Sequence, residues 1–384
     1  MMNSHDTQSS TKSATAKRKF STKPLMIAAA SLALSAVALP AAASSWWNAN
    51  PSISIGSASV NVKNKGARGN GSHDDTAAIQ AAIDSLPNSG GTVVIPAGRY
   101  MINAKKALRL HSHTRLKLDS SAELRVIPNS ASRYWVVKVW NANNVEIVGG
   151  SIVGDRASHR GSSGEWGYGI NVSGSQNVLV KNVKVSEFWG DGLLVGATGS
   201  GRSLSRSDYV TFNNVVSSHN RRQGLTVGPS KHVYIVNSTF KNTKGTLPEA
   251  GIDMEPQDQG PVNKVRLENN TFSGNHGNGI ELHANISDIT ITSNNLTGNH
   301  GFGLLAISAP HMKVANNYAT RNGLAGVGLS GSTHDVAVTS NKLQYNSTRY
   351  MSPTVNGGAK SRDIQIGKST YSISQSNNTL SPRK

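Results

Sequence analysis

The stretch "GIDMEPQDQGPVNKVRLENNTFSGNHGNGIELHANISDITITSNNL", residues 251–296, contains one sequence pattern twice. Each copy has a glycine, an apolar residue, any residue and a second apolar residue, followed by a Val/Ile-rich run that leads to asparagine. Copies begin at Gly169, Gly192, Gly224, Gly251, Gly279, Gly303 and Gly326, with spacings of 23, 32, 27, 28, 24 and 23 residues. A repeat of this length with two or three short strands predicts an all-β solenoid.

Asparagine recurs after the Val/Ile-rich run of each copy. A stacked row of asparagines at one corner of the coil would explain this recurrence. We therefore predict a structural role, as an internal ladder, for Asn182, Asn214, Asn237, Asn270, Asn295, Asn317 and Asn341.

The glycine motif also predicts which side chains point outward. Side chains alternate between the two faces of a strand, so the second and fourth residues after glycine point away from the core. In two middle copies these residues are Asp253 with Glu255 and Glu281 with His283. Strands about 4.8 Å apart, with alternate residues about 6.7 Å apart, would bring the four into one patch. Like charges on adjacent coils are unfavourable, which favours catalysis over a solvated surface.

Two segments ahead of the motif glycines, "SHNRRQG" and "FWGDG", supply candidate substrate-binding residues. These candidates are Arg221, Arg222, Gln223, Trp189, Asp191 and His219. An arginine fork can hold a carboxylate, and a tryptophan ring can stack on a sugar. Salt bridges from the arginines to Asp253 or Glu255, and core positions for Trp189 and Trp166, are the structural alternatives.

Insertions account for the longer repeats. They are "GATGSGRSLSRSD" (residues 196–208), "KGTLPEA" (residues 244–250) and "EPQDQGPVNK" (residues 255–264). Loops on a rigid scaffold concentrate binding groups, so we expect these insertions to form walls beside the patch. Glu249 and Asp258 belong to the insertions and are not catalytic candidates, and His276 and His300, at coil turns, are predicted to be structural.

The chain is strongly basic, with a net charge of +18, and has no cysteine. Basic residues 17–19, the apolar run 24–40 and "AAASS" predict a Sec-type signal peptide over residues 1–43, with an uncleaved membrane anchor as the alternative. Cleavage of the signal peptide removes five basic residues and one acidic residue, which lowers the net charge to +14. No later segment is apolar enough to span a membrane.

The positive net charge favours a polyanionic partner, and export argues against nucleic acid. Disulfides and thiol chemistry are excluded.

Residues 60–102, "VNVKNKGARGNGSHDDTAAIQAAIDSLPNSGGTVVIPAGRYMI", are the most specific segment. Apolar residues recur at helical spacing from Ala78 to Leu86 after a predicted cap at Asp74 or Asp75, "SGG" ends the helix, and "TVVIP" begins the first strand. The segment resembles the entry of the pectate-lyase-like superfamily. The resemblance implies a right-handed parallel β-helix as a single domain over residues 44–384. It also implies an N-terminal cap with an α-helix at about residues 58–102, and carbohydrate binding along one lateral face.

The activity motifs of this superfamily are matched less closely. Polygalacturonase-like hydrolases share Asn-Thr-Asp, Asp-Asp, Gly-His-Gly and Arg-Ile-Lys motifs, and these do not occur here in order. Mannuronan epimerases carry Asp-Pro-His-Glu, whereas residues 253–256 are Asp-Met-Glu-Pro. Similarity to calcium pectate lyases would place calcium on Asp253, Glu255 and Glu281. We predict no metal or other cofactor, with calcium as the alternative.

Two carboxylates with different protonation states suit glycoside hydrolysis, and we assign this role to Asp253 and Glu255, with Glu281 tuning the pair. One alternative is uronate β-elimination or C5 epimerisation, in which Arg221 or Arg222 with Gln223 neutralises the substrate carboxylate, and His283 or His219 takes the proton. A third is a non-catalytic polysaccharide-binding or exopolysaccharide-export protein. We expect a monomeric bacterial protein, periplasmic or secreted, that acts on an acidic polysaccharide.

Overall fold

The computed structural model describes residues 45–256, 259–350 and 363–381, which wind three parallel β-sheets around one core. The predicted signal peptide at residues 1–43 and Asp258 lie outside the described residues. Within the described ranges, no helix has the length and apolar character needed to cross a membrane. The strands are numbered in chain order.

Sheet 1 contains β1 Ala58–Asn61, β3 Gly91–Ile95, β6 Thr114–Leu118, β9 Asn143–Val148, β12 Gln176–Lys181, β15 Ser205–Asn213, β18 Ser230–Val236, β21 Val262–Glu268, β24 Ile286–Thr292, β27 Pro310–Ala315, β30 His334–Thr339 and β33 Tyr371–Ser376. Sheet 2 contains β2 Asn70–Asp74, β4 Gly98–Ile102, β7 Ala122–Val126, β10 Ser151–Val153, β13 Lys184–Ser186, β16 Val216–Ser218, β19 Thr239–Lys241, β22 Thr271–Ser273, β25 Asn295–Thr297, β28 Tyr318–Thr320, β31 Lys342–Gln344 and β34 Thr379–Leu380. Sheet 3 contains β5 Leu108–Arg109, β8 Arg133–Trp140, β11 Trp166–Ser173, β14 Leu193–Thr198, β17 Gln223–Val227, β20 Ala250–Met254, β23 Ile280–Leu282, β26 Leu304–Ile307, β29 Val327–Ser330 and β32 Ile364–Ile366.

Each coil from β3 to β32 visits sheets 1, 2 and 3 in turn, and the terminal pairs β1–β2 and β33–β34 visit sheets 1 and 2. For example, β18, β19 and β20 form one coil, and they pair in parallel with β21, β22 and β23 of the next. The chain is therefore a parallel β-helix, which confirms the predicted solenoid, and it has three strands per coil where the repeat length predicted two or three. Each coil hydrogen-bonds to its neighbours, so the core is elongated along the helix axis.

One stacked apolar core fills the coils. The motif residues Ile252 and Met254 are fully buried, and the rings of Phe240 and Phe272 on consecutive coils stack with their centroids 5.4 Å apart. The motif glycine is needed because the next coil approaches closely: a Cβ on Gly224 would lie 2.4 Å from the carbonyl oxygen of Gly251. This contact explains why glycine recurs in the motif.

Two buried asparagine ladders hold two corners of the C-terminal coils. In the first, Asn270 donates to Asn294, Asn294 to Asn317, and Asn317 to Asn341, with a donor–acceptor distance of 3.0 Å at every step. The second ladder stands at the next corner and consists of Asn275, Asn299, Asn322 and Asn346. The ladder prediction is therefore confirmed for Asn270, Asn317 and Asn341.

Asn182, Asn214, Asn237 and Asn295 lie outside these internal ladders, so the internal position predicted for them is wrong, although Asn214 Nδ2 still donates to Asn182 Oδ1 of the preceding coil at 2.8 Å. The first three are exposed and have φ values of 57°, 52° and 52°, a left-handed conformation that asparagine tolerates. This conformation turns the chain at the corner, so the residue after it, and not the asparagine itself, points inward. Asn295 lies one residue beyond the ladder member Asn294.

The N-terminal segment contains helix α1, Thr76–Asp84, whose residues Ile79, Ala82 and Ile83 are fully buried. Asp74 accepts the backbone N–H of Thr76 at 3.0 Å. Asp75 occupies the cap position, but its carboxylate accepts the N–H groups of residues 68 and 69 and makes no hydrogen bond to the helix. Asp75 therefore fixes the preceding loop. The expectation that "TVVIP" begins the first strand is also wrong, because β1 and β2 precede it.

The insertions flank sheet 3 beside the motif "GIDM". Residues 196–208 extend β14 and β15 into an antiparallel ribbon, in which Ala197 pairs with Arg206. Arg206 then donates to the carbonyl oxygen of Pro261 at 3.0 Å and to Asn263 at 2.7 Å, which joins this ribbon to the loop after β20. On the other edge, Glu249 accepts the backbone N–H of Gly245 within the loop before β20. Loops therefore border both edges of sheet 3 at this level.

Candidate active site

The outer face of sheet 3 carries the predicted patch. The parallel register aligns Thr226 with Asp253 and Asp253 with Glu281. Asp253 is 1% exposed, whereas the side chains of Glu255 and His283 are 17% and 37% exposed. We call Asp253, Glu255, Glu281 and His283 the acidic patch. The register brings these four residues together, with Asp253 at the base and His283 outermost.

Asp253 lies between an amide and an imidazole. Gln223 Nε2 donates to Asp253 Oδ2 at 2.7 Å and to Glu255 Oε1 at 3.2 Å. Asp253 Oδ1 is buried without an aligned hydrogen-bond donor, and His283 Nε2 lies 3.2 Å from it. Burial raises the pKa of Asp253 to about 6, with Glu255 and Glu281 adding to the rise and His283 opposing it. Asp253 therefore keeps a proton into the mildly acidic range.

His283 bridges two carboxylates. Its Nε2 atom lies 3.2 Å from Asp253 Oδ1 and 3.4 Å from Glu281 Oε1. Asp253 and Glu281 raise the pKa of His283 to about 10, against the opposing effect of desolvation. Asn278 Nδ2 donates to the other oxygen of Glu281 at 2.8 Å. At neutral pH the patch therefore contains an imidazolium ion, and Glu281 is fixed from both sides.

Arg222 joins carboxylates from different coils. Its Nη2 atom donates to Glu255 Oε1 at 2.8 Å, Nη1 donates to Asp191 Oδ2 at 3.4 Å, and Nε lies 3.8 Å from Glu165 Oε1. Desolvation lowers the pKa of Arg222, but Asp191 and Glu255 outweigh it, so the pKa lies above its ordinary value. Of the salt-bridge alternatives, the one between Arg222 and Glu255 is therefore present.

Asp191 adds a second protonatable carboxyl group beneath Arg222. It is fully buried, and Thr226 Oγ1 donates to its Oδ2 atom at 2.7 Å. The Oδ1 atom has no hydrogen-bond partner within the described ranges. Burial raises the pKa of Asp191 to about 7, although Arg222 opposes the rise. Asp191 can therefore carry a proton near neutral pH.

The structure does not bring Arg221, Trp189 or His219 to the acidic patch. The Arg221 guanidinium lies over the Trp189 ring at 3.9 Å, and the His159 ring stacks on Trp189 at 4.2 Å. The Trp189 ring is thus already covered by protein and offers little surface to a sugar. The His219 ring contacts Asn242 Nδ2 at 3.1 Å. Of the six predicted binding residues, the structure brings Arg222, Gln223 and Asp191 to the patch.

Sequence reasoning missed a third outward column, formed by the residue before each motif glycine. Asp191 and Gln223 belong to this column, and so do Asn278 and Tyr168, which were not predicted. Burial raises the pKa of Tyr168 above its ordinary value, and Asp191 adds to the rise. The sequence indicated this column, because several motif glycines are directly preceded by a polar residue. Alternation along a strand places outward side chains two residues apart. The residue before the glycine lies three residues before the first outward residue of the motif, so alternation does not predict that it points outward.

Toward the N-terminal coils, the same face becomes cationic and aromatic. The column of Asp253 continues through Thr226, Leu194, Asn171, Lys138 and Arg109. Lys138 Nζ lies 3.7 Å and 4.0 Å from the ring centroids of Trp135 and Trp140. Trp140 and Trp166 are exposed, and Arg133 lies over the ring of Trp166. We call Arg109, Lys138 and Trp140 the cationic platform.

The carboxylates that could bind calcium in the acidic patch already contact cationic side chains. Calcium takes six to eight oxygen ligands. Here Arg222 engages Glu255, and His283 lies between Asp253 and Glu281. A calcium ion on these carboxylates would have to displace both cations. The expectation that the protein needs no cofactor stays a prediction.

Comparisons with known proteins agree with this architecture. A family model described as rhamnogalacturonase A/epimerase, pectate lyase-like, matches residues 59–305, and a model of the right-handed β-helix region matches residues 248–381. The uncharacterized protein YclG of Bacillus subtilis is 28% identical over 322 residues, which cover 74% of this chain and 54% of YclG. The chain spans about half or less of the length of the first curated relatives it matches.

Two solved structures show the same fold. The A-module of mannuronan C-5 epimerase AlgE6 from Azotobacter vinelandii has a TM-score of 0.64 at 21% identity, covering 84% of this chain and 94% of that chain. PfbA, a surface adhesin of Streptococcus pneumoniae, has a TM-score of 0.65 at 18% identity, covering 84% of this chain and 90% of that chain. The chain is thus a right-handed parallel β-helix, as predicted, and it belongs to the rhamnogalacturonase A/epimerase family of pectate-lyase-like proteins.

Proposed function

We propose that the protein cleaves glycosidic bonds in an acidic, uronate-containing polysaccharide by carboxylate acid–base hydrolysis. The Asp253–Glu255 pair carries this proposal. Gln223 Nε2 contacts both carboxyl groups, yet their surroundings differ. Burial raises the pKa of Asp253 to about 6, whereas Glu255 is paired with Arg222 at 2.8 Å. Glycoside hydrolysis needs this combination of one carboxyl group that donates a proton and one that stays charged.

In this proposal Asp253 is the general acid and Glu255 is the nucleophile. Both carboxyl groups contact the same atom, Gln223 Nε2, at 2.7 Å and 3.2 Å, and this proximity favours a retaining mechanism, in which the two carboxyl groups lie close together. His283 covers Asp253, so sugar binding is expected to displace it. The positive charge of His283 lowers the pKa of Asp253. When His283 is displaced, this pKa rises and Asp253 holds its proton more firmly.

The outer face of sheet 3 supports a polymeric, anionic substrate. Between the cationic platform and the acidic patch, the column of Glu255 contains Gly228 and Gly196, so no side chain of this column projects from the sheet there. An exposed tryptophan can stack on a sugar ring, and cations attract its carboxylate. The net charge of +18 acts in the same direction. A uronate chain would therefore lie along the helix axis, with the scissile bond at the acidic patch.

The second candidate is uronate β-elimination or C5 epimerisation, which the family description and the likeness to an epimerase module support. The His283 imidazolium and Arg222 could neutralise a substrate carboxylate. However, a His283 with a pKa of about 10 is protonated at neutral pH, so it is not available as the base. His219, the other candidate base, does not contact the patch. Hydrolysis is therefore the first proposal.

A third candidate is a non-catalytic polysaccharide-binding protein, which the likeness to an adhesin favours. Such a protein would bind the polymer without turnover and would tolerate loss of the Asp253 proton. We also propose export to the periplasm or the cell exterior, based on the predicted signal peptide at residues 1–43.

Incubation with polygalacturonate, polymannuronate and polyguluronate tests the proposal. We expect new reducing ends from at least one polymer. Asp253→Asn and Glu255→Gln should each lower kcat by about 10²- to 10⁴-fold, because each removes one half of the acid–base pair. Asp288→Asn, an exposed carboxylate on sheet 1 with φ of 57°, is the matched control and should keep full activity.

Other outcomes would identify the other candidates. An unsaturated product that absorbs in the ultraviolet would indicate β-elimination, and a changed sugar composition at constant chain length would indicate epimerisation. Saturable binding without any product would indicate the non-catalytic protein. Full activity in both the Asp253→Asn and the Glu255→Gln variant would contradict the assigned roles.

A further inference from the structure

The outer face of sheet 1 holds a second cluster of ionisable residues, far along the chain from the acidic patch. Strands β27 and β30 pair in parallel, with Pro310 opposite His334 and Met312 opposite Val336, so His311 and Asp335 lie side by side. His311 Nδ1 is 3.5 Å from Asp335 Oδ2, and His334 Nε2 is 3.9 Å from the same oxygen. One nitrogen from each histidine and one carboxylate oxygen lie within 4.8 Å of one another.

We propose that His311, His334 and Asp335 bind a divalent transition-metal ion, with Zn²⁺ as the type case. A Zn²⁺ ion lies about 2.0 to 2.2 Å from nitrogen and oxygen ligands, so its donor atoms are roughly 3 to 4 Å apart. The distances between the donors of this cluster nearly meet that requirement. Two imidazole nitrogens with one carboxylate suit Zn²⁺, Ni²⁺ or Cu²⁺ and do not suit Ca²⁺ or Mg²⁺, which prefer oxygen.

The surroundings of His334 favour metal binding. Its Nδ1–H donates to the carbonyl oxygen of Ser332 at 2.8 Å, which leaves the lone pair of Nε2 free and directed toward Asp335. The Tyr371 ring stacks on the His334 ring at 4.5 Å with an interplanar angle of 7°, which fixes the ring plane. The tautomer and the orientation of this ligand are therefore set before metal arrives.

The backbone aligns the cluster across coils. His311 and Asp335 have φ values of 53°, and Asp288 on the preceding coil has a φ of 57°. The three residues have the same left-handed backbone conformation at equivalent positions of consecutive coils. Their side chains therefore form one column on the outer face of sheet 1. The ion would join β27 to β30. Asp288 lies on the same surface, as do the cations Lys264, Arg266 and Lys313. His311 and Asp335 are about half exposed, so one coordination position would face solvent.

Calorimetric titration of the tag-free full chain with ZnCl₂ tests this proposal. We expect one Zn²⁺ per chain and a loss of affinity of at least about tenfold in His311→Ala, in His334→Ala and in Asp335→Asn. His300→Ala is the matched control, because His300 and His276 form another close pair, with ring centroids 4.5 Å apart. His283→Ala is a second control that excludes Zn²⁺ binding at the acidic patch. Neither control should change the affinity.

Thermal unfolding separates lost binding from lost folding. Zn²⁺ should raise the Tm of the wild-type chain, because a ligand of the folded state stabilises it, and it should not raise the Tm of His334→Ala. Without metal, the wild-type chain and His334→Ala should unfold at similar temperatures. The proposal is wrong if Zn²⁺ does not bind saturably, if binding survives loss of both histidines, or if His283→Ala abolishes it.

Discussion

His283 is held as an imidazolium between Asp253 and Glu281, and this arrangement makes part of the folding free energy depend on pH. Its folded-state pKa of about 10 lies above the ordinary histidine value of 6.5. The contribution of the ion pair is therefore present at neutral pH and is lost as the pH rises through about 10, and it also weakens below about pH 6, where Asp253 takes up a proton. Because the side chain is 37% exposed, solvent screening reduces it to roughly 1 to 2 kcal/mol.

His283→Gln tests this pH dependence. We expect the variant to be less stable than the wild type by roughly 1 to 2 kcal/mol at pH 7, where Asp253 is charged, and the difference to shrink toward zero at pH 10.5. Urea unfolding of both proteins at the two pH values measures it, and groups common to both chains cancel. An equal difference at both pH values would show that His283 contributes through packing alone.

The residues of the acidic patch could be predicted from sequence, because the direction of a side chain on a regular strand is a local property. Arg221 and Arg222 could not be distinguished in this way. They are adjacent residues at a corner, and the turn of the backbone there sends Arg222 to Glu255 and Arg221 onto Trp189. Asn278 was missed for the same reason, since the column before the motif glycine does not follow alternation.

At the scale of the secondary-structure element, the asparagine ladders connect corners of successive coils. Asn294 donates to Asn317 and to a carbonyl oxygen of the preceding coil, and it accepts from Asn270. Loss of this side chain leaves its buried partners unsatisfied, which costs about 1 to 3 kcal/mol per group. The ladder is thus a major source of cohesion between coils.

Asn294→Ala and Asn295→Ala form a matched pair of adjacent substitutions. We expect Asn294→Ala to destabilise the protein by about 2 to 3 kcal/mol and Asn295→Ala by less than about 1 kcal/mol. Thermal unfolding measures both. Equal losses of stability would mean that the ladder contributes no more than an ordinary corner residue.

The solenoid itself could be predicted because its signals repeat. The period, the motif glycine and the paired apolar positions occur in seven consecutive coils, so an error in one copy does not change the conclusion. The ladder was predicted one residue off in several coils. A left-handed residue at the corner shifts the inward position by one, and asparagine is favourable both in that conformation and in the ladder. Sequence alone therefore does not separate the two positions.

Across the whole molecule, the outer face of sheet 3 changes from cationic to acidic along the helix axis. The cationic platform and Asp253 share one column, in which Lys138 is four coils from Asp253, a distance of about 19 Å. A short oligomer at the acidic patch cannot reach the platform, whereas a polymer can. The platform should therefore affect long substrates only.

Arg109→Gln and Trp140→Ala test this dependence on length. For a uronate polymer, we expect KM to rise about three- to tenfold with little change in kcat, a loss of roughly 1 kcal/mol in binding. Trimers should be unaffected. Lys342→Gln is the control, because Lys342 lies over the Tyr318 ring on sheet 2 and not on the outer face of sheet 3. If Lys342→Gln weakens polymer binding as much as Arg109→Gln, net charge and not the platform attracts the substrate.

Digestion of a uronate polymer in H₂¹⁸O tests whether the Asp253–Glu255 pair catalyses hydrolysis. Hydrolysis takes its oxygen from water, so mass spectrometry should find one ¹⁸O at every new reducing end, with the label appearing far more slowly in Asp253→Asn. Unsaturated fragments without ¹⁸O, or chains of unchanged length, would contradict this account.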